Sequence, residues 1–384
     1  MNKKVLFCAT VDIHFRAFHL PYLKWFKEQG WEVHVAARGD LNLPYVDEKY
    51  NFPFQRSPVS KTNILAYKEL KKVINNNEYQ IIHCHTPMGG VITRLAARQA
   101  RKKGTKVLYT AHGFHFCKGA PLINWILYYP IEKILAHITD CLITINEEDH
   151  KLAKNHRFKA KEIKHVHGVG VNTKLFQPVK RNNQLLLRAM HGYKQDDFLI
   201  VYAAEFNKNK NQQLLIKSLA LIKDEVPNAK LLLAGNGPLL EECRKLAIHL
   251  GVEKMINFLG HRNDMDLLLK MSDIAVASSV REGLPVNIME AMACGLPVIA
   301  SDNRGHRELI HNEENGYLIH LDENKCMSDK IKALEQNQAL KWKLGQTGRR
   351  MIEAHYSTEK VLQEMMNLYE SHMEKREEYQ WAVH

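Results

Sequence analysis

The stretch with the clearest chemical content is SSVREGLPVNIMEAMACGLPVIASDNRGHREL, residues 278–309. In it, Glu282 falls in a turn after an apolar strand and Glu290 falls on the helix that follows, with seven residues between them. Pro285 is predicted as the first helical residue, and Gly295 closes the helix. Backbone N–H groups at a helix start suit a diphosphate, and a carboxylate further along can bind a ribose. Acidic residues are also favoured there by the helix dipole alone, so the spacing leaves both interpretations open.

Histidine and cysteine patterns do not indicate a metal site. His83 and His85 occupy alternate positions on one strand, and we place their side chains on opposite faces. His112 and His115 are little better placed to bind one metal ion together. Zinc requires more closely grouped ligands. The seven cysteines form no CxxC pair, which is typical of reduced thiols in the cytosol. No metal and no cofactor are predicted.

The elements that must position these residues are short apolar strands alternating with helices. The strand candidates of the first half are KVLFCAT, EVHVAA, QIIHCH, KVLYTAH, CLITIN and IKHVHG, and a helix is predicted over 90–104. Those of the second half are FLIVYAAE, KLLLAGN, MINFLG, IAVASS and LPVIAS. Nearly continuous apolar strands separated by helices predict parallel sheets covered on both faces.

The predicted fold class is therefore α/β, with two doubly wound, Rossmann-like domains facing across a cleft. We assign an N-terminal domain to 1–175 and a C-terminal domain to 190–357, joined by a polar segment near 172–195. A final helix is predicted over 358–384, with Ser357 as its N-cap. Ligands of such sheets bind beyond the carboxyl ends of the strands, so the site is expected in the cleft.

Length and charge narrow the function classes. The chain has 384 residues, of which 45% are hydrophobic and 25% charged, which excludes a disordered, collagenous or membrane-embedded protein. Net charge is +12, yet residues 1–174 hold 27 Lys and Arg against 14 Asp and Glu, and the remainder holds 27 against 28. A basic first half suggests an anionic surface or substrate. The sequence has no run of 18 apolar residues, so no membrane-spanning helix is predicted. The N-terminal apolar run ends too early for a signal peptide, and the predicted location is therefore cytoplasmic.

Further strings extend the pattern over nearly the whole chain: HCHTPMGG (83–90), TAHGFHF (110–116), NKNKNQ (207–212), LLLAGNGP (231–238) and ENGYLI (314–319). With the Glu-x7-Glu string, they resemble the retaining glycosyltransferases of family 4, and among these the transferases of exopolysaccharide and capsule clusters. The resemblance implies a GT-B fold, whose terminal helix crosses back to the first domain. It implies that the C-terminal domain binds a nucleotide-sugar donor, expected to be a UDP-sugar, and that the N-terminal domain binds a lipid-linked or growing saccharide acceptor.

The resemblance also assigns donor contacts residue by residue. Lys210 matches a position whose ammonium meets the diphosphate, where a fixed cation stabilises the charge that builds on the leaving group. Glu290 is expected to bind the ribose hydroxyls. Glu282 is expected beside the donor sugar or diphosphate, with backbone N–H groups supplied by Gly283 and Leu284.

The first domain carries the remaining site candidates. His112 matches a family histidine near the donor sugar, where it would hydrogen-bond a sugar hydroxyl, although a histidine at a strand end is often an interior residue. Asp12, His14 and Arg16 follow the first strand, where the family usually has a glycine-rich loop on the acceptor side. They are candidates for acceptor binding, and His14 for proton transfer, although loops also carry ordinary residues.

One position departs from the family pattern. Family members often have Gly-Arg where this chain has Ala204 and Glu205, and that arginine is the second phosphate cation. A glutamate cannot fill this role, so another cation must replace it or Lys210 must act alone. The candidates for the replacement are Arg281, Arg304 and Arg307.

Basic residues cluster over 94–106, starting with Arg94, and over 151–164, near the aromatic and apolar stretch 114–133. Such runs are usually solvated faces. Together with Trp125, Tyr128 and Tyr129, predicted to be exposed, they would also suit peripheral docking on an anionic membrane, where lipid-linked acceptors reside.

Other function classes fit the sequence less well. A non-hydrolysing UDP-sugar epimerase shares the architecture, but would need further acid–base carboxylates. A catalytically silent partner in a polysaccharide assembly is the other alternative, because of Glu205. Nucleic-acid binding is not predicted, because the second half is not basic and lacks interleaved aromatics. A dinucleotide-dependent dehydrogenase is excluded by the lack of GxGxxG after the first strand.

Overall fold

The computed structural model describes residues 3–381, with side chains described as far as residue 373. Its chain forms two compact units, one with the residues up to Val169 and those from Val361 onward, the other from Gly170 to Lys360. The predicted domains ended at 175 and began again at 190. The segment between those limits lies within the second unit, where part of it is helical and its Arg188 is buried against Asp273, at 2.6 Å.

The first unit is built on a seven-stranded parallel sheet in the order β3-β2-β1-β4-β5-β6-β7. Its strands are β1 Lys4–Val11, β2 Glu32–Arg38, β3 Glu48–Asn51, β4 Ile81–His85, β5 Lys106–Ala111, β6 Cys141–Thr144 and β7 Glu162–His165. Residues 5–9 of β1 are buried without alternation, as expected of a strand with helices on both faces. The sequence gives no signal for β3, because EKYN is a short polar strand that pairs only with β2 at the edge of the sheet.

The helices between these strands are α1 Ile13–Phe18, α2 Leu20–Glu28, α3 Thr62–Asn76, α4 Pro87–Ala96, α5 Arg98–Lys102, α6 Leu122–Ala136 and α7 Glu147–Asn155. The predicted single helix over 90–104 is two helices, α4 and α5, which meet at Ala97. Before α4, Thr86 has φ 63°, a strained conformation for a β-branched residue that is often found at functional sites. The Thr86 hydroxyl lies 2.8 Å from the hydroxyl of Thr10, which links the ends of β1 and β4.

The second unit contains a six-stranded parallel sheet in the order β10-β9-β8-β11-β12-β13. Its strands are β8 Phe198–Ala203, β9 Ala229–Ala234, β10 Ile256–Gly260, β11 Ile274–Ala277, β12 Val298–Ser301 and β13 Gly316–Ile319. Its helices are α8 Arg181–Met190, α9 Gln212–Leu221, α10 Leu240–His249, α11 Met265–Met271, α12 Val286–Ala293, α13 Arg304–Leu309, α14 Asn324–Gln336 and α15 Gln338–Met351. The strand order reverses between β8 and β11, and such a switch point is where open α/β sheets bind ligands.

The C-terminal helix α16, Thr358–Trp381, begins after Ser357, whose hydroxyl accepts a hydrogen bond from the backbone N–H of Lys360. From Val361 onward the chain belongs to the first unit. Its Tyr369 is fully buried against β1 and α2, and the Tyr369 hydroxyl lies 2.7 Å from Nδ1 of His83 on β4. The terminal helix therefore packs on the first unit, as the family resemblance implies. Its predicted end, 382–384, lies outside the described residues.

Candidate active site

Two loops of the second unit leave the same edge of its sheet. One, 204–211, follows β8, and the other, 278–285, follows the adjacent β11. The backbone N–H of Val280 donates to the carbonyl of Asn209, at 2.7 Å, and the Asn209 side-chain amide donates to the carbonyl of Arg281, at 3.0 Å. These bonds hold the two loops together, so residues far apart in sequence occupy one small region.

Lys210 and Glu282 meet at this place. The ammonium of Lys210 lies 2.5 Å from a carboxylate oxygen of Glu282, and their side chains are 23% and 15% exposed. The Lys210 carbonyl accepts hydrogen bonds from the hydroxyls of Ser278, at 2.8 Å, and Tyr202, at 3.3 Å. The backbone of Lys210 is thus fixed by the ends of two strands, while its charged end remains within reach of a ligand.

Glu290 lies on α12, beside the same strand ends. The side-chain amide of Asn287, three residues earlier and on the same helix face, donates to the carbonyl of Ala203 at the end of β8, at 3.0 Å. Burial raises the pKa of the Glu290 carboxyl to about 7. Among the described residues its carboxyl has no hydrogen-bond partner, and burial alone accounts for its raised pKa. An uncompensated, partly protonated carboxyl is suited to receive ligand hydroxyls.

The start of α12 differs slightly from the prediction. Pro285 is the N-cap rather than the first helical residue, because its backbone is extended, with ψ 111°, and the helix begins at Val286. Gly283 and Leu284 precede it and are half-buried. Close by, a Cβ atom placed on Gly305 would lie 2.8 Å from Cβ of Glu282. Only glycine at 305 therefore permits the observed position of Glu282.

Among the three arginines considered as substitutes for the missing phosphate cation, Arg304 is beside the site. It is buried, and its Nε donates to the backbone carbonyl of Glu282, at 3.1 Å. Arg281 is exposed, and Arg307 pairs with an aspartate of its own segment, at 2.6 Å. Glu205 is exposed and accepts a hydrogen bond from a neighbouring asparagine. The geometry thus favours Arg304 as the second cation.

Sequence reasoning missed His306, the next residue but one after Arg304. It is fully buried on α13, its Nδ1 lies 2.6 Å from the carbonyl of Ser301, and its Nε2 is buried without a partner in the described part of the chain. Burial lowers its pKa to about 4, against smaller opposing contributions from that carbonyl and from Glu282. The only available signal was its place in the string DNRGHREL.

In the first unit, four histidines come together: His14, His19, His85 and His112. Each residue has one ring nitrogen within 4.8 Å of a ring nitrogen of the other three, and Nδ1 of His85 is 3.2 Å from Nε2 of His112. His85 ends β4, His112 follows β5, and the other two follow β1, which pairs with β4 on its other side. The cluster therefore lies at the carboxyl ends of three adjacent parallel strands.

The predicted placement of His83 and His85 on opposite faces is wrong. Residues two apart on a strand project from the same face, and the centres of these two rings lie 4.1 Å apart. The expectation for His112 also changes, because its close partner is His85 rather than His115. The geometric grounds on which the sequence analysis set aside a histidine metal site therefore do not hold.

All four clustered imidazoles are uncharged at neutral pH. Burial lowers the pKa of His14 to about 4 and holds the pKa values of His19, His85 and His112 well below the usual range. Neighbouring imidazoles lower the pKa values of the latter three further. A general base with a pKa near 7 is not found among them.

Asp12 and Arg16 have different surroundings. Asp12 is buried, and its carboxylate accepts hydrogen bonds from Lys49 Nζ, at 2.6 Å, and from the backbone N–H of Leu41, at 2.8 Å. Burial tends to raise its pKa, but Lys49 and the backbone donors outweigh this and the pKa is lowered. The carboxylate thus holds the loop after β2. Arg16 is exposed on α1.

A groove of about 1010 Å³ lies in the first unit and includes both His14 and His112 in its wall. Its lining is mainly apolar, with Phe18, Met88 and Ile131 among the contributors. Beside it, α6 presents a row of exposed aliphatic side chains, which are Leu122, Ile123, Ile126, Leu127, Ile131 and Ile134.

Two details of the basic, aromatic region differ from the prediction. Trp125, Tyr128 and Tyr129 are half-buried and pack inward, so aliphatic rather than aromatic side chains are exposed. Arg94 is buried and paired with Glu132, at 2.8 Å, so its charge is not available to a surface. Within residues 3–381, no helix combines the length and the hydropathy needed to cross a bilayer.

Comparison with known families gives the same picture for both units. Residues 183–351 match the glycosyl transferases group 1 and residues 4–146 match the glycosyl transferase 4-like family. The chain belongs to these glycosyltransferases and is a transferase, which confirms the resemblance found in its motifs.

A Bacillus subtilis protein named "Putative glycosyltransferase EpsD" is 52% identical to the chain over 97% of its length and 98% of the relative. The Escherichia coli UDP-Gal:alpha-D-GlcNAc-diphosphoundecaprenol alpha-1,3-galactosyltransferase is 27% identical over 77% of the chain and 80% of the relative. Among solved structures, Anabaena HepE in complex with UDP and glucose matches with a TM-score of 0.79 at 19% identity, over 96% of this chain and all of that one (100%). This likeness concerns the fold, which is GT-B as predicted.

Proposed function

We propose that the enzyme is a retaining glycosyltransferase that moves a sugar from a UDP-sugar to a lipid-linked or growing saccharide during exopolysaccharide or capsule synthesis. The observation that carries the proposal is the Lys210–Glu282 pair at the switch point of the second unit's sheet. The name of the E. coli relative, which includes UDP-Gal and a diphosphoundecaprenol acceptor, and the UDP complex of HepE support the donor and acceptor classes.

The diphosphate is the centre of the proposed donor site. When it enters, Lys210 exchanges its contact with Glu282 for a phosphate oxygen, and Arg304 adds the second positive charge. Glu282 is then released toward the sugar hydroxyls, with Gly283 and Leu284 offering backbone N–H groups, as the resemblance implies. Because negative charge on the phosphates grows as the glycosidic bond breaks, these cations stabilise the transition state more than the bound donor.

No protein nucleophile is needed in the proposed reaction. The acceptor hydroxyl attacks on the face from which the diphosphate departs, and a phosphate oxygen takes the hydroxyl proton. The imidazole of His112, uncharged because burial holds its pKa low, hydrogen-bonds a donor-sugar hydroxyl. Glu290 receives the ribose hydroxyls. Two fixed cations neutralise the diphosphate, so donor binding requires no divalent metal there.

A thermal-shift panel of UDP-, GDP- and ADP-sugars tests the donor assignment. We expect a rise in melting temperature with UDP-sugars only, because a ligand at a hundredfold excess over Kd stabilises the native state by about 2.7 kcal/mol. EDTA should leave the UDP shift unchanged. In the Glu290→Ala variant the shift should weaken. An equal response to all three nucleotides, or a UDP shift lost with EDTA, contradicts the proposal.

On the acceptor side, we propose that the first unit docks on an anionic membrane through the exposed aliphatic row of α6. The apolar groove beside it would admit a lipid chain, with His14 and Arg16 facing the acceptor and Asp12 fixing their loop. Basic residues of the first unit, Arg94 excepted, would add attraction to anionic lipid.

Flotation with vesicles at low salt tests the docking. The protein should float with phosphatidylglycerol vesicles, and Ile126→Asp on α6 should lower the bound fraction several-fold. Ile248→Asp is the matched control, since Ile248 of the second unit is 65% exposed and Ile126 is 67% exposed. Equal flotation of both variants, or none of the wild type, contradicts the docking.

A further inference from the structure

Of the four clustered histidines of the first unit, His14, His19, His85 and His112, only His112 has a proposed role in donor binding, and that role does not explain why the four lie together. One ring nitrogen from each residue lies within 4.8 Å of one from every other, and one pair, His85 Nδ1 and His112 Nε2, is 3.2 Å apart. A zinc ion that binds imidazoles at about 2.0–2.1 Å in a tetrahedron keeps their nitrogens about 3.3 Å apart. That pair thus already has the separation of two ligands on one ion, and the other two lie close enough to complete the set.

Hydrogen bonding does not satisfy this cluster by itself. Within the described residues, Nε2 of His14 is buried and has no partner. Since buried polar atoms without partners are unfavourable, four imidazoles packed in this way indicate an additional component that their nitrogens hold.

The neighbouring His83 shows what a satisfied histidine looks like here. Its Nδ1 lies 2.7 Å from the hydroxyl of Tyr369 and its Nε2 lies 2.8 Å from the hydroxyl of Thr110. Both nitrogens are engaged, so His83 forms the wall of the cluster and is not a ligand.

We infer that His14, His19, His85 and His112 bind one divalent first-row transition-metal ion of the Zn²⁺ class. Imidazole nitrogen suits Zn²⁺, Co²⁺, Ni²⁺ and Cu²⁺, whereas Mg²⁺ and Ca²⁺ require oxygen ligands, and the cluster contains no carboxylate. His14 and His112 are half-buried and line the apolar groove, which gives the ion an entry path.

The protonation state of the cluster agrees with this assignment. Metal ligands must be unprotonated, and burial keeps all four imidazoles neutral at pH 7, with the pKa of His14 lowered to about 4. An ion bound here would hold the ring of His112 in one orientation. Its four ligands belong to the first unit, whereas Lys210 and Arg304, the proposed diphosphate ligands, belong to the second unit, and we propose no metal for the diphosphate.

Metal binding by the full-length, untagged protein tests the inference without any activity assay. After the metal is stripped with chelator, the protein is reloaded with Zn²⁺ and excess metal is removed by dialysis. We then expect about one Zn²⁺ per chain by mass spectrometry of the metal, and displacement of bound Co²⁺ by added Zn²⁺. The Co²⁺ form should show the visible bands of tetrahedral coordination and no thiolate charge-transfer band, which separates histidine from cysteine ligation. X-ray absorption should give nitrogen neighbours at about 2.0–2.1 Å.

His85→Gln and His19→Gln should each lower Zn²⁺ affinity at least tenfold. His137→Gln, an exposed histidine at the end of α6, is the matched control and should bind as the wild type does. If the cluster variants do not fold, the Co²⁺ spectrum of the wild type decides. A wild type that takes up less than a tenth of an equivalent of Zn²⁺, a thiolate spectrum, or equal loss in His137→Gln overturns the inference.

Discussion

Two regions at strand ends are built in opposite ways: the loops 204–211 and 278–285 of the second unit, and the histidine cluster of the first unit. In the two loops, charged groups meet in a partly open setting, with the Lys210–Glu282 pair at 2.5 Å and both side chains still accessible. The histidine cluster brings together neutral groups, because burial keeps its imidazoles unprotonated. Both lie at the carboxyl ends of adjacent parallel strands, so the same backbone geometry supports one site made of charged side chains and another made of neutral side chains.

The contrast between charged and neutral side chains determines what each region can contribute to catalysis. Fixed charges act on a ligand whose own charge changes during the reaction, as a diphosphate does. Neutral imidazoles bind hydroxyls or a metal ion but contribute little to charge stabilisation. If the two regions divide the work in this way, substitutions of charge in the second unit should have the largest effects on turnover, and pH should act mainly through Glu290.

Lys210→Ala removes the positive charge at the centre of the second-unit site and should have the largest effect on turnover. We expect kcat to fall by about 10²–10³, the usual cost of removing one group that stabilises developing negative charge. Lys208, two residues earlier, is exposed and has no ion-pair or hydrogen-bond partner in the described structure. Lys208→Ala is therefore the matched control and should retain wild-type turnover. Steady-state rates with donor and acceptor measure both. Similar losses in the two variants would mean that a general positive charge, not this ammonium, matters.

Glu290→Gln should have the next largest effect, and the pH dependence of UDP affinity separates the role of Glu290 from that of the histidines. We expect UDP affinity to fall about tenfold at pH 8, because an ionised acceptor makes stronger hydrogen bonds to ribose hydroxyls. In the wild type, affinity should rise between pH 6 and 8, as the carboxyl, with a pKa of about 7, ionises. Isothermal titration at both pH values measures this. The histidines should add no step, since the pKa of His14 is about 4.

Glu290→Gln should also change the free energy of unfolding. At pH 8 the substitution should weaken UDP binding but stabilise the folded protein. The folded-state pKa of Glu290, about 7, lies above its ordinary value of 4.5, so the folded protein binds the proton more tightly. Its stabilising contribution is complete below pH 4.5 and is lost as pH rises through 7. At pH 8 the variant should therefore be more stable than the wild type by about 3 kcal/mol, and the two should become nearly equal only below pH 4.5. A variant less stable at pH 8 contradicts the assigned burial.

The sequence predicts most of the fold because parallel strands covered on both faces have a strong apolar signal. It does not predict β3, whose four residues, EKYN, are polar. Nor does it predict the break at Ala97, because the helical pattern continues through it. The domain limit near Gly170 is equally hidden, since Arg188 becomes buried only through its pairing with Asp273, far along the chain.

The two sites differ in how readily the sequence shows them. Glu282, Glu290 and Arg304 lie in one continuous string, whose spacing carries information, and Lys210 lies in a recognisable motif. The histidine cluster is assembled from three segments, around residues 14–19, 85 and 112, so no spacing reveals it. His306 stayed unnoticed because its burial follows from the packing of α13 against Glu282, which depends on tertiary structure.

Gly305→Ala has the smallest expected effect and tests whether packing alone sets the position of Glu282. The added methyl group would lie 2.8 Å from Cβ of Glu282 and 2.9 Å from its carbonyl carbon, so the loop must shift. We expect a loss of about 1 kcal/mol in stability from overpacking, and a drop in UDP affinity of only a few-fold. Titration calorimetry and thermal unfolding measure the two.

Gly348→Ala, in α15 of the same unit, is the control for that substitution. Its added methyl would meet only the side chain of Met292, at 3.2 Å, and a flexible methionine adapts to such contacts. UDP affinity should therefore remain at the wild-type value. If Gly305→Ala binds UDP as tightly as Gly348→Ala does, Glu282 tolerates displacement, and the charge of Lys210 rather than the geometry of the pair determines donor binding.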